Sequence, residues 1–178
     1  IIGKSVGIIG EDEAGVLVQA NAGGPIDFFN CFTVNAGAGT SVTLSNMTVR
    51  NGDYGIRSTS GDVSIYNCTF YHNGFDGTAY PGGVDQAGAG THYLTHAMDG
   101  GAIRIRDGNG GEISGCTVYE NDRGIRITDC TGYNIDNNVS YSNIQAGIYL
   151  SSSSYDGNAG CQDTIVQNNE SYDNKNNG

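Results

Sequence analysis

One short motif returns along the chain with its internal order intact, and that return constrains the fold more than any other feature. Val63-Ser-Ile-Tyr-Asn-Cys-Thr-Phe-Tyr-His-Asn73, Glu112-Ile-Ser-Gly-Cys-Thr-Val-Tyr-Glu-Asn121, Asn134-Ile-Asp-Asn-Asn-Val-Ser-Tyr-Ser-Asn143 and Ile165-Val-Gln-Asn-Asn-Glu-Ser-Tyr-Asp-Asn174 align without gaps. Val42-Thr-Leu-Ser-Asn-Met-Thr-Val-Arg-Asn51 aligns with one residue fewer. A Gly-Ile or Gly-Ala-Ile strand start follows, at Gly55-Ile56, Gly101-Ala102-Ile103, Gly124-Ile125 and Gly147-Ile148. Asn51 to Asn73 and Asn121 to Asn143 both span 22 residues, whereas Asn73 to Asn121 spans 48 and Asn143 to Asn174 spans 31. The two longer intervals carry insertions, at 74–100 and 151–161. A period near 22 with two or three strands per turn is too short for helix-pair repeats and lacks the frame of leucine-rich repeats. The expectation is an all-β, right-handed parallel β-helix solenoid of about six to seven coils, forming a single domain over 1–178 that is an excerpt of a longer solenoid.

In such a coil, equivalent residues of successive turns stack about 4.8 Å apart, so alignment columns become ladders in space. Leu44, Ile65, Ile113, Ile135 and Val166 form one apolar column, and Ile56, Ile103, Ile125 and Ile148 a second, both expected to face inward. Alternation then turns Arg57, Arg104, Arg126 and Tyr149 outward. Asn51, Asn73, Asn121, Asn143 and Asn174 are expected to form a structural ladder at a turn, their amides bonding to the rungs above and below.

Composition agrees with many tight turns: 29 Gly and only 2 Pro in 178 residues. No apolar stretch is long enough to span a membrane and no signal segment opens the chain, so no membrane insertion is expected. Eight basic against nineteen acidic residues, a formal charge of -11, argue against a nucleic-acid partner. The acidity suits solubility in an extracellular or cell-surface setting. It is compatible with bound calcium, although no metal ligand set is evident and no cofactor is required.

Met47, Cys68 and Cys116 share a column continued by Asn138 and Asn169, which suits small inward-facing side chains rather than metal ligation. Cys31 is expected at the same kind of position. Cys130 and Cys161 each lie five residues before a core residue and should sit one above the other, either bridged or as two neighbouring thiols. Asn46-Met-Thr48, Asn67-Cys-Thr69, Asn138-Val-Ser140 and Asn169-Glu-Ser171 fit the glycosylation pattern, but they read as by-products of the repeat recurring at one structural position.

Asn-Cys-Thr-Val, the asparagine turn and Gly-Ile-X-Ile resemble the right-handed parallel β-helix superfamily, which includes pectate lyases, polygalacturonases, mannuronan epimerases, phage tailspikes and many secreted surface proteins. The resemblance covers nearly the whole chain, including Ile2-Gly-Lys-Ser-Val-Gly-Ile-Ile-Gly10, and it implies fold rather than chemistry. The polygalacturonase stations Asn-Thr-Asp, Asp-Asp and Gly-His-Gly and the epimerase Asp-Pro-His are missing.

Chemistry in a solenoid gathers on insertions. The 74–100 insertion brings Asp76, Tyr80, Asp85, His92, Tyr93, His96 and Asp99 ahead of the strand that bears Arg104 and Arg106. Arg57, Arg104, Arg106, Arg126, Tyr149 and Asp99 are therefore the candidate substrate-binding residues, with guanidinium forks pairing the carboxylates of an acidic polysaccharide. The competing reading is charge compensation by Asp53, Asp107, Asp122 and Asp129. If the site is catalytic, lyase or epimerase chemistry on a uronate best uses these residue types, with His96, Tyr93 or His92 as base or acid. The alternative is a noncatalytic surface, adhesive or fibre-forming β-helix, whose open coils would support end-to-end self-association.

Overall fold

The computed structural model describes residues 6–11, 16–19, 30–35, 37, 39–74, 100–152 and 160–175. Within them the chain forms β1 (Val6–Ile9), β2 (Leu17–Gln19), β3 (Phe32–Val34), β4 (Ser41–Ser45), β5 (Thr48–Arg50), β6 (Tyr54–Ser58), β7 (Asp62–Tyr66), β8 (Thr69–Tyr71) and β9 (Gly101–Arg106). It continues with β10 (Asn109–Ser114), β11 (Thr117–Tyr119), β12 (Ile125–Thr128), β13 (Thr131–Asp136), β14 (Val139–Tyr141), β15 (Ile148–Ser151), β16 (Ile165–Gln167) and β17 (Glu170–Tyr172). Every third strand pairs in parallel. Sheet A is β1-β4-β7-β10-β13-β16, sheet B is β2-β5-β8-β11-β14-β17, and sheet C is β3-β6-β9-β12-β15. A coil therefore has three strands: the motif supplies those of sheets A and B, and the Gly-Ile segment supplies that of sheet C.

Both apolar columns are in register. Leu44, Ile65, Ile113, Ile135 and Val166 pair rung to rung in sheet A, and Ile56, Ile103, Ile125 and Ile148 in sheet C. The middle members are fully buried, each stabilising the core by roughly 1.5–3 kcal/mol. Val166, on the last described rung of its column, is 45% exposed. Tyr133 fills the core where the column pattern breaks. Its ring lies over Gly111, where a Cβ would come within 2.7 Å of it, and its hydroxyl accepts the Val63 N–H at 3.2 Å from two coils away. Burial holds that phenol well above its ordinary pKa.

The corner between sheets A and B is made of two residues in five successive coils. The first is left-handed at Asn46, Asn67, Gly115, Asn137 and Asn168, and the second is inward-facing at Met47, Cys68, Cys116, Asn138 and Asn169. Asparagine tolerates positive φ, and glycine has no Cβ to strain. The four glycosylation-type sequences thus occupy two positions, not one: Asn46 and Asn67 are the turning residues, whereas Asn138 and Asn169 point inward and bond to each other. Asn169 Oδ1 accepts both the backbone N–H and the amide of Asn138 at 2.9 Å.

At the corner between sheets B and C stands the main asparagine ladder. Each Oδ1 accepts the backbone N–H of the preceding rung, from Asn73 to Asn121 (3.0 Å), Asn121 to Asn143 (3.0 Å) and Asn143 to Asn174 (3.0 Å). Asn51 does not belong to it. Register places Arg50 beside Tyr71, so Gly52 takes the ladder rung and donates its N–H to Asn73 Oδ1 at 3.1 Å. Asn51 is the left-handed residue before it, equivalent to His72, Glu120, Ser142 and Asp173. No residue is missing ahead of this turn, since the register runs unbroken from Val42 beside Val63 to Arg50 beside Tyr71, so the asparagine of this coil stands at the turning position and the glycine on the rung. Cys31 also departs from expectation. Its N–H bonds to Tyr54 O and the residue after it pairs with Ile56, which places it at the entry to sheet C, opposite Gly55, rather than at the A–B corner.

Candidate functional site

Sheet C carries the arginines on its outer face. Arg57, Arg104, Arg126 and Tyr149 are direct partners on four consecutive strands. Arg106 follows on the same face of β9, beside Thr128, with its Nε 3.3 Å from Asp107 Oδ2. Like charges opposite one another on adjacent strands repel, by about 1 kcal/mol per pair at one-rung spacing in water-like surroundings. Aromatic rings offset this. The guanidinium carbons of Arg57 and Arg104 both lie 5.7 Å from the centroid of Tyr54, and that of Arg126 lies 5.9 Å from Tyr149. Arg104 also donates to the Tyr54 hydroxyl at 3.0 Å. Tyr54 is buried beneath the two arginines, while Arg57 and Tyr149 are exposed.

The described ends of both insertions lie at the margins of this face. The first leaves from the B–C corner at Gly74 and returns at Gly100, and the two glycines meet: a Cβ on Gly100 would stand 2.7 Å from Gly74 Cα. The second joins β15 of sheet C to β16 of sheet A, at the opposite margin. His92, Tyr93, His96 and Asp99, like Asp76, Tyr80 and Asp85, lie outside the described residues, as does 153–159.

Asp122 lies against Gly74, where the first insertion begins. It is buried, receives both amide contacts of Gln145 at 3.1 and 3.2 Å, and stands so close to Gly74 that a Cβ there would be 2.5 Å from its own. Burial raises its pKa to about 7, against the opposing pull of Gln145 and Arg123 and with a smaller contribution from Asp53. Cys130 and Cys161 share a column, as the pairing of Thr131 with Gln162 requires, and both are free thiols. Their sulfurs make equivalent contacts one coil apart, to the Ile105 and Thr128 carbonyls and to those of Ile127 and Ser151. Burial pushes the Cys130 thiol up to about 11. Among the described residues no three metal-ligating side chains gather, and no helix is long and apolar enough to cross a membrane.

Residues 30–178 match the family described as the right handed beta helix region. The chain belongs to the right-handed β-helix family. No curated protein and no solved structure matches it.

On this β-helix, sequence reasoning missed two tyrosine features. Tyr54 is one, although its place before Gly55-Ile56-Arg57 sets it at the head of the arginine strand. The other lies on the outer face of sheet B, where Tyr71, Tyr119, Tyr141 and Tyr172 stack with centroids 5.3, 5.1 and 5.2 Å apart and planes within 9°, 8° and 3° of parallel. Each stands two residues before a ladder asparagine, so the alignment already held the signal. Beside them His72 Nε2 lies 3.0 Å from Glu120 Oε2, and burial nevertheless lowers the imidazole pKa.

Proposed function

We propose that this β-helix binds an acidic polysaccharide along the outer face of sheet C. The observation that carries the reading is the in-register row Arg57, Arg104 and Arg126, set on tyrosine rings and bordered by the roots of both insertions. The row sets guanidinium groups one rung apart on a single face, a spacing at which a polyanion with carboxylates along its length can pair with several of them at once. Guanidinium forks suit planar carboxylates, and the exposed Tyr149 offers a sugar ring an apolar surface. Such a ligand belongs to an extracellular or cell-surface setting, where an acidic solenoid is also at home.

Processing of the bound uronate, by β-elimination or C5 epimerisation, is the chemical extension of this reading. The arginines neutralise the carboxylate and so acidify the neighbouring C–H, while His92, Tyr93 or His96 serves as the base that takes the C5 proton or as the acid that protonates the departing glycosidic oxygen in elimination and returns a proton to C5 in epimerisation, with Asp99 as a further contact.

The test is affinity for alginate and pectate at several salt concentrations, in the wild type and in the double variant Arg104→Ala/Arg126→Ala. Binding that weakens with salt, and falls about tenfold or more in the variant, supports the reading. Unchanged affinity in the variant removes the arginine face as the site. The ultraviolet absorbance of unsaturated uronate separates a lyase from an epimerase or simple binder.

A further inference from the structure

The tyrosine row of sheet B is a different surface from the arginine face. Parallel rings in van der Waals contact lie about 3.5–4 Å apart. At centroid separations of 5.1–5.3 Å the four rings are therefore either slipped across one another or not in full contact. Tyr71, Tyr119 and Tyr141 are half-buried and Tyr172 is exposed, so the row presents an aromatic strip to solvent from rung to rung of sheet B. A lower strip runs beside it on the same face, made of the short side chains of Thr48, Thr69, Thr117 and Val139. The backbone beneath is held by the asparagine ladder: the amides of Asn73 and Asn121 donate to the carbonyls of Tyr71 and Tyr119 at 3.1 and 2.8 Å.

Two observations select the ligand. The first is a precedent within the row. On the next rung above Tyr71 stands Arg50, whose planar cation lies 5.6 Å from the Tyr71 centroid and donates to its hydroxyl at 2.8 Å. The second is charge. Glu120, Glu170 and Asp173 flank the lower three tyrosines, against Arg50, Lys175 and a His72 whose pKa is lowered, on a chain of net charge -11. A flat delocalised cation gains from tyrosine rings, as Arg50 does on Tyr71, and from carboxylates, whereas an anion meets repulsion.

We propose that the outer face of sheet B binds an elongated planar aromatic cation, laid parallel to the solenoid axis against Tyr71, Tyr119, Tyr141 and Tyr172. Binding needs no fibril, because the solenoid supplies within one chain the continuous side-chain ladder that a stack of separate strands would otherwise have to build.

Titration of the full chain with thioflavin T, a benzothiazolium cation, tests this, with sedimentation run on the same samples. A saturable rise in fluorescence that remains with the non-sedimenting protein is expected. Tyr119→Ala/Tyr141→Ala should weaken it at least tenfold. Tyr119→Phe should retain it, and Glu120→Gln should weaken it about threefold; these two changes leave the ring stack in place should the double variant fail to fold. An absent response, a response confined to sedimented material, a Glu120→Gln affinity equal to wild type, or equal binding of an anionic dye of similar length would overturn the proposal.

Discussion

The outer faces of sheets B and C belong to the same coils and repeat the same residue types rung after rung, yet repetition has opposite consequences on the two. On sheet B a tyrosine finds another tyrosine at the next rung, and each copy stabilises its neighbours. On sheet C an arginine finds another arginine, and the two like charges repel while the rings of Tyr54 and Tyr149 act against that repulsion. A solenoid under selection for stability alone accumulates columns of the first kind. Columns of the second kind gain nothing from repetition itself, and that is the ground on which we propose sheet C as the binding face.

The comparison breaks most severely if the common support under both faces is removed. Asn121→Ala deletes a buried amide that bonds to Phe70 O, Tyr119 O and Asn143 Oδ1 and leaves the Asn73 N–H without its acceptor. It should cost about 3 kcal/mol in urea unfolding, whereas Asn51→Gly, at a left-handed residue outside the ladder, should change stability by less than about 0.5 kcal/mol. Tyr119→Ala removes two ring stacks and should cost about 2 kcal/mol.

Asp122, at the corner where the two faces meet, gives a smaller effect with a definite pH signature. Its folded-state pKa of about 7 is above the ordinary 3.8, so between these values the folded state holds a proton that the unfolded chain releases. Stability therefore falls as pH rises from about 4 to about 7, and the loss is complete above that range. Asp122→Asn keeps an acceptor for Gln145 and should raise stability by about 1–2 kcal/mol at pH 8. The gain should shrink toward zero near pH 4, and a gain independent of pH would contradict the assignment. The smallest effect is the most specific to the comparison: Arg104→Ala/Arg126→Ala relieves like-charge repulsion but removes the Arg104–Tyr54 hydrogen bond and both ring contacts, so stability should fall by about 1 kcal/mol or less, and by less at low salt than at high salt.

Much of this fold is legible in the sequence because one physical signal, an apolar residue returning to the same rung, runs through Leu44, Ile65, Ile113 and Ile135 and through Ile56, Ile103 and Ile125. The arginine row is legible for the same reason, being the alternate residue of the second column. What alignment misjudged are the turns. Asn51 sits one position from its apparent column because Gly52 fills the rung, and Asn46 and Asn138 share a sequence pattern while facing different ways. Turn residues follow local backbone conformation rather than core burial, so identity of type does not ensure identity of place. The tyrosine row was legible by position but not by value, since stacking depends on side-chain direction. The burial that moves Asp122 is a property of the corner packed around it, which no local pattern encodes.

The arginine face is tested most directly by following the arginine Nε–Hε resonances by NMR while a uronate oligosaccharide is added to the intact chain. The account predicts that the signals of Arg57, Arg104 and Arg126 shift together and saturably, while Arg50, on the tyrosine row, stays in place. Shifts confined to Arg50, or none on sheet C at saturating oligosaccharide, would contradict it.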